Sequence, residues 1–394
     1  MRRRTHDDYR PRWHQRIELV RLSREWARRK FFDMLRAAMR TDDGRAVLGE
    51  TLNDLLAWRP KAVPPSAALL VSQQPYPDLG RAPASGPDVA PRPIFITARF
   101  RSGSTLLWNL FRNIDGCTAY YEPFNERRWF DPQFRGARVD GTHHVDEYWR
   151  EYDGLSELGA YYDEEWTRRR LYMDEDSWNP AMAAYIQLLV KRARGRAVLQ
   201  FNRIDFRLAW MRRMFPSAYL VHLYRHPRNQ WCSTIGDLAS CPPDSGLRDF
   251  QDGFYLLTWA ADLKHRFPFL DVPPSTHPYR VFYYLWKLSY VFGITWADHS
   301  MSFESLTTKP EAELTALFTK IAVNNADPAQ LKSLIVPMKD RWPQYASDDW
   351  FREHEEACEG TLLQFFDPAH AANAGNGAPG AAGPRSNRPE LTHV

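Results

Sequence analysis

The stretch PIFITARFRSGSTLLWNLFRN, residues 93–113, constrains the fold more than any other part of this sequence. It begins with a short, continuously apolar segment typical of a buried strand and ends with apolar residues at helical spacing. Between the two, RSGST places four small residues after a basic one. Small residues let backbone N–H groups converge at a helix start, where the helix dipole is positive. The pattern therefore predicts a strand–loop–helix unit that binds an anion.

Further strands and helices alternate along the chain after this unit. Such alternation, with apolar strands, indicates a parallel sheet that is covered by helices on both faces. The chain is therefore predicted to be an α/β protein. The further predicted strands are AVLQF (197–201), AYLVHLY (218–224) and HSMSF (299–303), and helices are predicted over 105–114, 180–194, 206–215 and 310–321 and from 285 onward.

The first part of the chain has a different composition. Residues 1–59 carry apolar side chains at helical spacing and are predicted to form a basic, amphipathic helical extension. Residues 1–60 hold 15 Lys and Arg against 9 Asp and Glu, so this arm could meet a membrane surface, a polyanion or a partner helix, or present a solvated face. Nine prolines between residues 60 and 93 predict an extended linker over 60–92.

The predicted main domain spans residues 93–366. Within it, residues 125–177 are charged and aromatic with weak periodicity, and we expect an insertion over the active site. The tail, 367–394, is rich in Ala, Gly, Asn and Pro and is predicted to be disordered. Aromatic residues make up 14% of the chain, with 15 Trp, which is compatible either with a bulky core or with an aromatic acceptor pocket.

Cysteine use and charge bear on compartment and partners. The 4 cysteines form no C-x-x-C pair and have no His at metal spacing, which predicts no metal site and a reducing compartment. Neither a long apolar run nor a signal peptide is evident, so we expect a cytoplasmic protein. A net charge of +4 does not indicate a nucleic-acid partner.

A second basic motif, RHPRNQWCST, follows the strand 218–224. Arg225 lies where that strand ends, and Ser233 lies about two helical turns beyond Pro227, which begins a helix. The guanidinium group of Arg can donate two parallel hydrogen bonds to a phosphate, and a Ser hydroxyl can donate one more. Ligands of open α/β sheets bind beyond the carboxyl ends of the strands, so both motifs should share one edge. The first loop is not a Walker A loop, because G-x-x-x-x-G-K-[ST] is absent.

Both motifs resemble those of one enzyme family. FRSGSTLLWNLFR resembles the 5'-phosphosulfate loop of the sulfotransferases that use PAPS (3'-phosphoadenosine 5'-phosphosulfate), and VHLYRHPRNQWCST resembles their 3'-phosphate motif. The likeness extends loosely over residues 93–366 and is closer to the carbohydrate and tyrosine-protein branches than to the cytosolic small-molecule branch, whose G-x-x-G-x-W-K segment is absent. It implies a P-loop-like three-layer sandwich with a central, mainly parallel sheet.

The resemblance also implies roles for particular residues and no catalytic metal. Arg101 stands where many members have Lys, and it would stabilise negative charge on the leaving oxygen without giving up a proton. The residues implied to bind PAPS are Arg101, Ser102, Gly103, Ser104 and Thr105 at the 5'-phosphosulfate, and Arg225 and Ser233 at the 3'-phosphate.

The candidate general base is Glu122 in YYEPFNE, which resembles the Glu-Pro of the carbohydrate and tyrosine-protein branches. A carboxylate near the acceptor can take its proton. The alternative is that Glu122 forms a local cap or salt bridge and that Glu126, His143 or His144 is the base.

Three other polar residues lie near the predicted strand ends. Arg203 and Arg228 follow the second and third predicted strands and could touch phosphate or face solvent. His222 lies within a strand and is predicted to be a core residue.

The favoured function is the transfer of a sulfuryl group from PAPS to a hydroxyl or amine of a carbohydrate, lipid or small natural product. One alternative is a Mg²⁺-dependent P-loop kinase or NTPase, which would need a Walker A Lys. The other is a nucleotide-binding module without activity that uses its basic arm on a membrane or partner.

Overall fold

The computed structural model describes residues 91–135, 145 and 147–366, together with residues 30, 33, 34, 37 and 41. The chain divides into two compact units, Met1–Pro87 and Asp88–Val394. Residues 30, 33, 34 and 37 are helical. The rest of the predicted N-terminal helices, nearly all of the predicted linker, the predicted disordered tail and residues 136–144 and 146 of the predicted insertion lie outside the described residues.

The second unit contains a sheet of five parallel strands in the order β2-β3-β1-β4-β5. The chain leaves β1 for β2, returns to β3 on one side of β1, and then crosses to β4 on the other side. Such a reversal of strand order opens a crevice at the carboxyl ends of the strands. The strands are β1 (Ile94–Thr97), β2 (Cys117–Tyr121), β3 (Arg196–Phe201), β4 (Tyr219–Tyr224) and β5 (His299–Ser302).

Helices flank the sheet and complete a three-layer α/β fold. The α-helices are α1 (Ser104–Arg112), α2 (Pro180–Arg192), α3 (Leu208–Met214), α4 (Pro227–Ile235), α5 (Leu256–Leu263), α6 (Pro278–Trp296), α7 (Phe303–Thr308), α8 (Pro310–Lys320), α9 (Pro328–Leu331), α10 (Trp342–Tyr345) and α11 (Asp348–Phe366). Short 3-10 helices cover Arg150–Tyr152, Ser156–Ala160, Glu164–Thr167, Leu238–Ser240, Pro268–Leu270 and Lys332–Leu334. Among the described residues, none of the helices has the length and apolar character needed to cross a bilayer.

The predicted α/β class and all four predicted strands are confirmed. The prediction omitted β2, because its sequence CTAYY is short, begins directly after a turn and is partly exposed at the edge of the sheet. It also began α6 too late. That helix begins at Pro278, where the His277 side chain accepts a hydrogen bond from the Tyr279 N–H and caps the first turn.

The aromatic residues fill much of the core. The side chains of Trp108, Trp210, Trp231 and Trp259 are at most 1% exposed. One apolar cluster surrounds the sheet, and a second one lies around α6 and includes residues of α4, α5 and α11. For these four tryptophans, the bulky-core interpretation of the composition is confirmed.

His222 of β4 is a core residue, as the sequence predicts. Its side chain is 2% exposed, and its Nδ1 lies 3.2 Å from the Ser300 Oγ. The imidazole packs on Gly293 of α6, where an added Cβ would come within 2.3 Å of the ring. Burial lowers the pKa of His222 to about 3.

Acid should therefore destabilise the fold through His222. Its pKa is about 3 in the folded chain and 6.5 for an unperturbed imidazole, so between these limits the unfolded state binds one more proton and stability falls as the pH is lowered. We expect His222→Asn to reduce the slope of the unfolding free energy against pH by about 1.4 kcal/mol per pH unit around pH 5. Urea unfolding of both proteins measures this slope, and equal slopes would contradict the assignment.

Candidate active site

The loop between β1 and α1 has the features of an anion-binding loop. Arg101 and Gly103 both have positive φ, 65° and 93°. The backbone N–H and the Oγ of Ser102 both donate to the Arg99 carbonyl oxygen, at 3.2 and 2.7 Å, and close a tight turn. No side chain caps α1, and its first turn holds no acidic residue. The N–H groups at the start of α1 therefore remain available to a bound anion.

The two basic motifs meet directly at the carboxyl edge of the sheet. Arg101 Nε donates to Ser233 Oγ at 3.1 Å, and Arg225 Nη1 donates to the Arg101 carbonyl oxygen at 3.2 Å. Gln230, which sequence reasoning missed, donates from Nε2 to the Phe100 carbonyl oxygen at 2.8 Å. These three bonds join the loop after β1 to the helix after β4, so the structure brings the predicted PAPS-binding residues together.

The surroundings of Arg225 are unfavourable for a positive charge. Burial lowers its pKa from the ordinary value, Glu304 raises it, and Arg101 lowers it further. The side chain is 5% exposed, and its Nε is buried with no hydrogen-bond partner among the described residues. A buried guanidinium with an unused donor, beside a second guanidinium, suits a ligand with several negative charges. The residues present therefore fit the two anionic groups of PAPS.

Glu122 follows β2, with φ 40°, and lies in a buried ionic cluster. Its Oε1 accepts from Asn202 Nδ2 at 2.5 Å, and its Oε2 accepts from Asn125 Nδ2 at 2.5 Å and from Arg203 Nη1 at 3.0 Å. Arg203 Nη2 also donates to Glu126 at 2.7 Å. Arg203 is therefore not a surface residue, because its buried guanidinium bridges two carboxylates.

The opposite charges in this cluster stabilise one another. Burial disfavours the charge of Arg203, but Glu122 and Glu126 raise its pKa above the ordinary value. Burial would also raise the pKa of Glu126, but Arg203 and other donors lower it. Because opposite charges offset the cost of burial, Arg203 keeps its proton and Glu126 remains ionised.

Tyr121 connects this cluster to the anion loop. Its hydroxyl lies 3.0 Å from Thr105 Oγ1 in the first turn of α1, and it also hydrogen-bonds the Glu122 carboxylate. Burial, and then the negative charge of Glu122, raise the pKa of Tyr121 well above its ordinary value, so the hydroxyl keeps its proton.

The other candidate residues fall outside this arrangement. Arg228 donates from Nε and Nη2 to Glu355 and from Nη1 to Asp348, so it ties α4 to α11. His143 and His144 lie outside the described residues. Within the described part of the chain, no cluster of three or more His, Cys, Asp or Glu side chains could hold a metal ion.

Asp340 and Arg341, which precede α10, form hydrogen bonds near both ends of α4. The sequence analysis assigned them no role. Asn229 Nδ2 donates to Asp340 Oδ1 at 2.7 Å, and Arg341 donates to the carbonyl oxygens of Cys232 and Gly236 at 3.3 and 2.6 Å. Arg341 thus satisfies carbonyl groups at the C-terminal end of α4. Residues more than 100 positions apart form these bonds, and no local pattern predicts them.

This geometry defines a class of protein: a parallel α/β sheet in which two arginine-containing segments meet at the switch point beside β1. A family model described as "Sulfotransferase family" matches residues 93–281, which include both basic motifs and Glu122. This part of the chain, just under half of its length, therefore belongs to the sulfotransferase family and is typical of a transferase. No curated protein matches the chain.

Solved structures of sulfotransferases resemble the chain weakly. The sulfotransferase domain of the curacin biosynthetic pathway is 16% identical, with 63% of this chain and 79% of that chain covered and a TM-score of 0.36. Sulfotransferase STF9 from Mycobacterium avium is 14% identical, with coverages of 71% and 77% and a TM-score of 0.39. Mouse sulfotransferase SULT7A1, complexed with PAP, is 11% identical, with coverages of 73% and 89% and a TM-score of 0.35. The family assignment rests on the family model and not on these likenesses.

Loss of the Arg203 guanidinium should destabilise the fold. We expect Arg203→Met to lower the free energy of unfolding by about 3 to 5 kcal/mol, because Glu122 would stay buried without its cation. Adding Glu122→Gln should recover a large part of this loss, since the unpaired charge is removed. Urea unfolding measures all three proteins.

The control for this prediction is Arg168→Met. Arg168 pairs with Glu164 and Glu165, whose side chains are 40% and 51% exposed, so its loss should cost less than about 1 kcal/mol. If Arg203→Met were no more destabilising than this control, the buried ion pair would not stabilise the fold as described.

Proposed function

We propose that this sulfotransferase uses PAPS as its sulfuryl donor and transfers the group to a hydroxyl or amine of an acceptor. The observation that carries the proposal is the junction of the two basic motifs, in which Arg101 hydrogen-bonds Ser233 and Arg225 hydrogen-bonds the backbone of Arg101. PAPS carries a phosphosulfate at one end and a phosphate at the other. Two adjacent cationic subsites, one of them at an uncapped helix start, suit that charge distribution.

In the proposed reaction, the acceptor oxygen or nitrogen attacks sulfur in line with the bond to the leaving phosphate oxygen. The new bond to sulfur forms as the old S–O bond breaks, and its electron pair leaves with adenosine 3',5'-bisphosphate. Arg101 stabilises the charge on that oxygen, and it stays protonated throughout. Its Nε is held by Ser233, and its terminal nitrogens donate no hydrogen bond to the described residues, so they can face the donor.

Glu122 is the proposed acceptor of the proton that the acceptor group loses. Its carboxylate is oriented by hydrogen bonds from Asn202, Asn125 and Arg203, and Tyr121 also hydrogen-bonds it. The link through Tyr121 to Thr105 holds this carboxylate at a constant position relative to the anion loop.

Aromatic side chains support an acceptor cleft between the cationic and carboxylate groups. The Phe254 ring centre lies 5.9 Å from the guanidinium carbon of Arg101, and the Tyr255 ring centre lies 5.9 Å from that of Arg203. Phe100 packs beneath both rings, at 5.7 and 6.2 Å between centroids. Partly exposed aromatic faces suit a carbohydrate, a lipid or a small natural product as the carrier of the acceptor group.

We also infer a cytoplasmic location. All four cysteines are free thiols, and three of them are buried. Burial raises the pKa of Cys232 to about 11, which leaves it protonated and unreactive. Free thiols support a reducing compartment.

Substitution of the two arginines tests the donor site. We expect Arg101→Ala and Arg225→Ala each to lower kcat/KM by about 10²- to 10³-fold, since each removes a charged donor from the transferring group or its carrier. The measurement is transfer of labelled sulfate from PAPS to a cell extract. Arg213→Ala, on the exposed face of α3, is the control and should stay within about twofold of wild type. Full activity in either site variant would contradict its role.

Calorimetry with adenosine 3',5'-bisphosphate complements that assay. Micromolar affinity that does not change with Mg²⁺ is expected. No binding would overturn the donor assignment, and Mg²⁺-dependent ATP turnover would favour a kinase or NTPase. Binding without sulfate transfer to any acceptor would indicate a binding module.

The base assignment has its own test. We expect Glu122→Gln to lower kcat by about 10²- to 10⁴-fold while the affinity for adenosine 3',5'-bisphosphate stays within about twofold, because the carboxylate takes a proton and touches no phosphate. Glu126→Gln is the matched control, since Glu126 binds the same guanidinium from a more exposed place. An active Glu122→Gln beside an inactive Glu126→Gln would transfer the role to Glu126.

A further inference from the structure

The side chain of Phe303 contacts both cationic subsites, at Gly103 in the first and at Arg225 in the second. It directly follows β5, and its side chain is 5% exposed. In the sheet, β4 separates β5 from β1. The Phe303 ring therefore extends past the end of β4 to reach the loop that follows β1.

The first contact of Phe303 is with the anion loop. Gly103 has φ 93°, and a Cβ built on it would lie 2.2 Å from Phe303 Cδ2. The backbone of the loop thus rests on the edge of the ring, closer than any side chain at position 103 would allow. A packed ring limits movement of the loop toward β5, because protein interiors are close-packed.

The second contact of Phe303 is with the other subsite. The guanidinium carbon of Arg225 lies 4.9 Å from the centre of the Phe303 ring, within cation–π distance. The next residue, Glu304, accepts a hydrogen bond from the His226 backbone N–H at 3.0 Å. At the start of α7, Phe303 therefore contacts Arg225 through its ring, and Glu304 binds the His226 backbone through its carboxylate.

We propose that Phe303 is a positioning residue that sets the spacing between the 5'-phosphosulfate and 3'-phosphate subsites. The inference rests on the proposed use of PAPS. A ligand with two anionic groups gains from both subsites only if they are held at its own spacing. Phe303 supplies that constraint by packing on Gly103 on one side and on the Arg225 guanidinium on the other.

The test compares two ligands on four proteins by calorimetry. The ligands are adenosine 3',5'-bisphosphate and adenosine 5'-monophosphate, which lacks the 3'-phosphate. The proteins are wild type, Phe303→Leu, Phe303→Tyr and the control Phe318→Leu. Phe318 is 4% exposed and packs in the same apolar core on Phe111, which lies in the last turn of α1, at the opposite end of that helix from the anion loop.

We expect Phe303→Leu to raise the Kd of the bisphosphate about tenfold and that of the monophosphate about twofold, because only the bisphosphate uses both subsites. Phe303→Tyr keeps the ring and should restore the bisphosphate Kd to within about twofold of wild type. Phe318→Leu should leave both Kd values unchanged even if it lowers the melting temperature as much as Phe303→Leu does.

Three results would overturn the proposal: an unchanged bisphosphate Kd in Phe303→Leu, equal losses for both ligands, or an equal loss in Phe318→Leu. Failure of wild type to bind the bisphosphate would instead count against the donor assignment, so the two failures are distinguishable.

Discussion

The close approach of Arg101 and Arg225 governs the cationic part of this site. Burial and then the repulsion from Arg101 lower the pKa of Arg225. The fold maintains this arrangement through Ser233, through the Arg101 backbone carbonyl and through the nearby carboxylate of Glu304. A polyanionic ligand, such as the proposed PAPS, would relieve this repulsion on binding, and the relief would contribute to its affinity.

Charge is separated along the carboxyl edge of the sheet. The cationic groups stand after β1 and β4, whereas the carboxylates of Glu122 and Glu126 stand beside Arg203, after β2 and β3. A sulfuryl donor needs positive charge at its leaving group, and an acceptor hydroxyl needs a proton acceptor on the opposite side. The strand order places the cationic and the carboxylate groups side by side, with Phe254 beside Arg101 and Tyr255 beside Arg203.

Local sequence patterns predicted a large part of this architecture. Apolar segments of strand length identified β1, β3, β4 and β5, and small residues after β1 identified the anion loop. The position of Arg225 after β4 was sufficient to predict that it would share one edge of the sheet with the anion loop, because parallel strands end at one edge. The prediction failed for β2, whose partly exposed residues lack a continuous apolar run.

The sequence by itself determined the elements, the α/β class and the two basic motifs, because each depends on residues close together along the chain. Only the tertiary structure decided that Arg203 would bridge Glu122 and Glu126, although 81 positions separate Arg203 from Glu122. It also decided that Phe303 would lie between Gly103 and Arg225. Such contacts depend on strand order and on the packing of distant segments, which no local periodicity encodes.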